Sequence, residues 1–145
     1  AEGAKSMAEA IRVNGSLTSV SLLSNMFDDE TVSMLLKLKE QKPILTTLCG
    51  LQPDQAEADF SRRGLTAQDA KLLAPEIAVS ASLTSLNLEN NSIHHEGAIA
   101  VATALKDSRV YKMTDLNLRN NGIGPKGAKA IAELCAVSGS LTTTR

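Results

Sequence analysis

Large aromatic side chains are almost absent from this sequence. Its 145 residues include two Phe, one Tyr and no Trp, beside twenty Leu and nineteen Ala. Aromatic rings bury more area than other side chains and dominate the energetics of most cores. A core without them has to be assembled from many small and similar layers. The shortage therefore favours an architecture of internal repeats.

Cysteines, long apolar runs and an excess of either charge are lacking too. Cys49 and Cys135 are too few for the disulfide framework of a small secreted domain, which favours a reducing, cytoplasmic location. No apolar run is long enough to span a membrane, and residues 1–5 do not begin a signal peptide. A net charge of −1 provides no electrostatic basis for binding nucleic acid. We expect one soluble domain over residues 1–145, with neither nucleic acid nor membrane as a partner.

The sequence contains a repeat of about thirty residues. Residues 83–93, LTSLNLENNSI, align with residues 113–123, MTDLNLRNNGI, and the match continues through a Gly-Ala pair into the following segments. Weaker copies cover residues 17–27 and 58–65. Together they predict about five units. The chain is expected to start and end within a unit, as a fragment of a longer protein would.

Each unit changes its hydrophobic period half-way. Leu86 and Leu88 alternate with polar residues, as in a half-buried strand, whereas Ala98, Val101 and Leu105 follow helical spacing. The sequence thus predicts a strand followed by a helix in every unit. The predicted helices cover residues 3–13, 28–40, 67–80, 96–107 and 125–138.

An insertion interrupts the third unit near residues 49–58. Ala58 comes only ten residues after Leu48, and a segment of that length cannot hold a full helical crossover. The sequence leaves two alternatives open for residues 52–57. They form either a protruding loop or a tight turn that leads to an extra short strand.

The pattern L-x-x-L-x-L-x-x-N-x-I, followed by a Gly-Ala helix at a spacing of 28 to 30 residues, resembles the leucine-rich repeats of the ribonuclease-inhibitor-like class. It is similar to the leucine-rich repeat regions of NOD-like receptors. The resemblance covers essentially the whole chain and is strongest over residues 83–135. It implies an α/β solenoid, a right-handed βα superhelix in a horseshoe arc. Parallel strands would line its concave face and helices its convex face.

Residues that could carry catalysis or bind a metal form no recognisable set. Asn25, Asn91 and Asn121 follow their strands at a fixed spacing, and in such repeats these amides satisfy backbone groups at the inward turn. The adjacent histidines at residues 94–95 have one acidic neighbour, which predicts a solvated loop and no metal site. We expect no enzymatic activity, no cofactor and no bound metal.

The polar positions between the strand leucines form the candidate functional surface. Alternation sends them to the face opposite the core, and stacking places equivalent positions in rows. Thr47 and Cys49 are expected on this surface, and Glu89 and Arg119 are expected to form a cross-strand ion pair. The candidate protein-binding residues of the concave face are Asp59, Ser61, Ser85, Asn87, Glu89, Asp115, Asn117 and Arg119.

These residues and the resemblance predict a protein–protein interaction scaffold with a protein partner of unknown identity. The face offers one Arg and no aromatic residue, so the 52–57 segment and repeats outside this chain are further candidates for the binding site. Two alternatives stay open. One is a GTPase-activating regulatory domain, for which Arg62, Arg63 and Arg119 are the basic groups near the strand ends. The other is a passive structural spacer.

Self-association is expected as well. Stacked repeats bury their apolar faces against neighbours, and natural solenoids carry polar caps at both ends. No such cap is recognisable here. The ends near Ile11 and Leu141 are therefore expected to expose apolar surface.

Overall fold

Five helices and four short strands make up the part of the chain that this computed structural model describes, residues 2–139 and 141–144. The helices are α1 (Glu2–Val13), α2 (Asp29–Gln41), α3 (Ala67–Val79), α4 (His94–Asp107) and α5 (Gly124–Val137). The strands are β1 (Glu57–Asp59), β2 (Ser85–Asn87), β3 (Asp115–Asn117) and β4 (Thr142–Thr144). Every predicted helix is present within two residues of its predicted bounds. No helix in these ranges has the length and apolar character needed to cross a bilayer.

The four strands form one parallel sheet in the order β1-β2-β3-β4. Its register pairs equivalent positions of neighbouring units, with Ala58 beside Leu86 and Leu86 beside Leu116. Leu86 and Leu116 are buried, whereas the residues on either side of each are partly or fully exposed. The predicted α/β architecture, a parallel sheet with a helix after each of β1, β2 and β3, is therefore confirmed.

The core lies between the sheet and the helices and uses the same positions in each unit. Leu88 and Leu118, which follow β2 and β3, each expose at most 1% of their surface. Val101 and Leu105 of α4 are fully buried against them in the same cluster. Because burying one leucine contributes about 1.5–3 kcal/mol, the repeated aliphatic side chains supply the apolar burial that rings provide elsewhere.

Two glycines set how closely the last three helices approach. A Cβ at Gly97 of α4 would lie 3.0 Å from the Cβ of Ala70 in α3, and Gly127 permits a similar approach of α5 to α4. The equivalent positions of α2 and α3 carry the buried side chains Thr31 and Asp69. The earlier helices therefore pack less closely, and a groove of about 630 Å³ separates α1 from α2.

The sheet is interrupted at the insertion. Residues 46–49 pair with residues 18–22, for example through Leu22 N–H to the Leu48 carbonyl at 2.8 Å, whereas β1 pairs with β2. No backbone hydrogen bond of the described residues joins residues 46–49 to β1. Between them the chain turns at residues 53–54 and then enters β1. Of the two alternatives for residues 52–57, the structure thus has the turn that leads to a strand.

Side chains of α3 bridge this interruption. The Glu76 carboxylate accepts hydrogen bonds from the Thr47 hydroxyl and from Leu48 N–H, the latter at 2.9 Å. The Asp69 carboxylate accepts one from Ser24 N–H at 3.0 Å. Both carboxylates are buried. The parts of the molecule before and after the insertion are therefore joined by acidic side chains, by Glu76 at residues 46–49 where the backbone ladder stops and by Asp69 at Ser24.

Candidate protein-binding face

The strands bring the eight predicted binding residues together on one surface, here called the sheet face. In the register, Ser85 lies beside Asp115, and Asn87 lies between Asp59 and Asn117. All eight side chains are partly or fully exposed, because they point away from the leucines that enter the core. That these residues bind a partner stays a prediction.

Glu57 also belongs to the sheet face, although the sequence pattern missed it. It is exposed and pairs with Ser85 at the start of β1. Ala58 is buried, so its two strand neighbours Glu57 and Asp59 must point to the opposite side. Extending the alternation one residue before Ala58 would have found Glu57. The degenerate unit began at Ala58 in the sequence alignment, which is why it was missed.

One row of the sheet face also stabilises the strand ends. The side-chain oxygens of Asp59, Asn87 and Asn117 each accept a hydrogen bond from the backbone N–H two residues further along, at 2.9, 3.0 and 3.1 Å. Asp59 additionally accepts the Ser61 hydroxyl at 2.6 Å. Hydrogen bonds from the Ser61 side chain and backbone lower the pKa of Asp59 below its ordinary value. This row therefore combines an exposed surface with a local structural role.

The predicted ion pair between Glu89 and Arg119 is confirmed. Their charged atoms lie 3.6 Å apart, and the Asn117 amide donates to the Glu89 carboxylate at 3.5 Å. Arg119 keeps 55% of its side chain exposed, and exposed pairs contribute only about 0–1 kcal/mol. The pair orients two side chains of the sheet face and adds little stability.

The prediction that Thr47 and Cys49 lie on this surface is wrong. Thr47 is 1% exposed and Cys49 is 2% exposed, because residues 46–49 lie at the interruption of the sheet and are covered there by α3. Burial raises the pKa of the Cys49 thiol well above its ordinary value, and the charge and hydrogen bond of Glu76 raise it further. A thiol in this state is a weak nucleophile.

The hydrogen bonds of Asn91 match the structural role that is expected for the repeated Asn positions. The Asn91 amide donates to the carbonyls of Phe60 and Leu88 at 2.9 and 2.8 Å, and its oxygen accepts from Arg63 N–H and Leu65 N–H, both at 3.0 Å. Asn91 thus joins its own unit to the preceding one. The histidines at residues 94–95 are exposed, and the described residues contain no group of three metal-ligating side chains.

The centre of the sheet face holds a small groove of about 180 Å³. Its walls are formed by β2, β3 and the first residue of β4. The lining residues are Ser85, Leu86, Asn87, Asp115, Leu116, Asn117 and Thr142. A groove of this size admits individual side chains of a partner.

Two parts of the chain, residues 79–102 and 112–132, match the family model described as Leucine Rich repeat. These segments contain β2 with most of α4 and β3 with most of α5. The repeated strand-and-helix units and this match fit a leucine-rich repeat fold. A search of curated protein sequences gave no significant match.

The chain is also similar to solved structures, at low sequence identity. The chain is similar to the structure of Leiomodin-1 Actin-Binding Site 2, with 20% identity and a TM-score of 0.52, over 94% of this chain and 75% of that one. It is also similar to the tropomodulin C-terminal domain from Caenorhabditis elegans, with 14% identity and a TM-score of 0.55, over 97% of this chain and 80% of that one. At these identities the likeness concerns the fold.

Proposed function

We propose that this chain is a protein–protein interaction scaffold that binds its partner on the sheet face and performs no catalysis of its own. The observation that carries the proposal is the gathering of nine polar side chains, including Glu57, on one side of a parallel sheet. No described segment covers that side. Repeat proteins commonly use such an extended surface for binding.

The proposal includes the finer features implied by the sequence. The chain would form one domain of about five units in a curved solenoid of the ribonuclease-inhibitor-like class, with the sheet face on the concave side. Similarity to the repeat regions of NOD-like receptors is part of the same proposal, as is a cytoplasmic location. The aromatic-poor, polar composition of the face favours a partner held mainly by hydrogen bonds and charge.

The experiment compares partner capture by the unmodified chain and by a variant of the sheet face. The variant carries Asp59→Arg, Glu89→Arg and Arg119→Glu, all at positions whose side chains reach solvent. Proteins retained from a lysate are identified and quantified by mass spectrometry. Actin is quantified first, since the Leiomodin-1 structure similar to this chain is an actin-binding site. We expect the variant to retain at least about tenfold less of the specific partner than the unmodified chain does.

A matched control separates a local effect from a change of net charge. Glu40→Arg, Asp107→Arg and Lys106→Glu alter charge by the same amount at exposed positions of α2 and α4. The control should retain the partner, and circular dichroism should show both variants folded. Equal retention by both variants would reject the sheet face as the binding site and return weight to the 52–57 segment or to a spacer.

The GTPase-activating alternative depends on a free arginine near the strand ends. Arg119 pairs with Glu89, and the Arg63 guanidinium lies over the Phe60 ring at 5.3 Å from its centre. These contacts argue against Arg119 and Arg63, whereas Arg62 is exposed and forms no described ion pair. Hydrolysis of GTP by small GTPases, measured with and without the chain, distinguishes an activator from a scaffold.

Self-association belongs to the proposal in a modified form. At the two ends that are expected to expose apolar surface, Ile11 itself is buried and Leu141 is partly exposed. Val13 and Val137, at the ends of α1 and α5, expose 67% and 64% of their surface. We expect sedimentation velocity to show an average mass that rises with concentration and falls in Val13→Ser and Val137→Ser variants. A constant monomer mass would contradict this part.

A further inference from the structure

The sheet face is acidic although the chain as a whole is nearly neutral. It carries Glu57, Asp59, Glu89 and Asp115 against Arg119, so four carboxylates and one guanidinium give a formal charge of −3. The whole chain has a net charge of −1, so the remaining surface is positive by two charges. The charge is therefore separated between the sheet face and the rest of the molecule.

Glu57 and Asp115 take part in no described ion pair, and Arg119 is engaged by Glu89. Asp59 forms no ion pair either, but it has a cation nearby: hydrogen bonds from Ser61 lower its pKa most, and the positive charge of Arg63 lowers it further. Glu57 and Asp115 lie on either side of Ser85 in one row of the register. With strands about 4.8 Å apart, their backbones are separated by about 10 Å. The groove between β2 and β3 lies within this acidic frame.

The hydrogen-bonding groups of the groove also favour a ligand that donates hydrogen bonds. The oxygens of Asn87 and Asn117 are used by backbone N–H groups, and the Asp115 carboxylate has no described hydrogen bond. Acceptor capacity at the exposed carboxylates thus exceeds the donors nearby. A ligand that supplies positively charged donors complements both the charge and the hydrogen-bonding needs of this surface.

We infer that the partner segment on the sheet face is a lysine- or arginine-rich stretch of another protein. The inference rests on the proposed function and specifies its partner. An extended stretch fits because a groove of about 180 Å³ is too small to enclose a helix, while ammonium or guanidinium groups can reach the carboxylates of the sheet face. Nucleic acid is disfavoured because its phosphates would meet a surface of the same sign.

The test measures binding of a fluorescent oligolysine peptide by anisotropy, with an oligoglutamate peptide of equal length beside it. The unmodified chain should bind oligolysine and should not bind oligoglutamate. Its affinity for oligolysine should fall as the ionic strength is raised. The informative variant combines Asp59→Asn with Asp115→Ser. Both replacements already occur in the neighbouring units, since Asn87 lies beside Asp59 and Ser85 beside Asp115, so the variant should fold.

We expect this variant to lose at least about tenfold in affinity for oligolysine. The control, Glu40→Gln with Asp107→Asn, removes the same charge away from the sheet and should bind as the unmodified chain does. Equal losses in both variants, or no binding of oligolysine, would overturn the inference. The proposed function fails separately, when captured proteins do not depend on the sheet face. A face-dependent partner that contacts it without basic residues would leave the function standing and reject only the basic segment.

Discussion

Replacing Glu76 by alanine is expected to lower the free energy of unfolding by about 3 kcal/mol, because hydrogen bonds to a charged group contribute about 1.5–3 kcal/mol each. The substitution leaves the Thr47 hydroxyl and Leu48 N–H buried without their acceptor. Urea unfolding followed by circular dichroism measures the loss. Glu40→Ala, an exposed change on α2, should stay within about 0.5 kcal/mol of the unmodified chain.

Glu76→Gln supplies a second, graded comparison. Glutamine keeps the shape of the side chain and one acceptor oxygen, but its amide group cannot accept from the second donor. Its stability should therefore lie between those of the alanine variant and the unmodified chain. A Glu76→Ala variant as stable as Glu40→Ala would contradict the role given to this carboxylate.

The location of the loss is as informative as its size. Because Glu76 joins α3 to residues 46–49 across the interrupted sheet, its removal should loosen the part of the chain before the insertion. Hydrogen exchange should rise first over residues 17–49, while residues 83–134 keep their protection. A uniform rise over both ranges would indicate that the sheet unfolds as one cooperative unit despite its interruption.

Replacing Asn91 by alanine is expected to cost about 3 kcal/mol as well, since several buried backbone groups lose their partners together. Its amide reaches the Phe60 and Leu88 carbonyls, and its oxygen serves two N–H groups of the preceding unit. The measurement is again urea unfolding, with the slope of the transition checked for a change in the surface exposed on unfolding.

Asn25 provides the matched control because it occupies the same position in the first unit. It is exposed, and its amide reaches only the Leu22 and Leu23 carbonyls of its own unit, at 2.9 and 3.3 Å. Asn25→Ala should therefore cost about 1 kcal/mol, the net value of an ordinary hydrogen bond. Similar losses at both positions would show that the bonds of Asn91 between units contribute little.

The degenerate unit contains a contact that the sequence did not predict. Arg63 occupies the position that Asn25 and Asn91 hold in other units, so the pattern predicted a missing amide there. In the structure Asp69, from the first turn of α3, supplies a carboxylate to Ser24 N–H of the first unit. No spacing rule predicts this substitution, because Asp69 is 45 residues from Ser24 and reads as an ordinary helix-capping residue.

The candidate site also has a part that the sequence predicts and a part that it does not. The rows formed by Asp59, Asn87 and Asn117 could be predicted because strand alternation and a constant unit length determine which positions become neighbours. The burial of Thr47 and Cys49 could not be predicted, because the same alternation places them on the surface and the helix that covers them belongs to the following unit. Their burial follows from the interrupted sheet and from no feature of residues 46–49 themselves.

The sequence by itself determined the unit length, the positions of the helices, the parallel strands and the residues of the sheet face after Ala58. Those properties follow from periodicities of two and 3.6 residues, which are local and recur in each unit. The tertiary structure alone decided where the backbone ladder stops and that Glu76 and Asp69 join the segments on either side of the interruption. Such features depend on contacts between segments 28 or more residues apart, and a local pattern carries no information about a neighbour that departs from it.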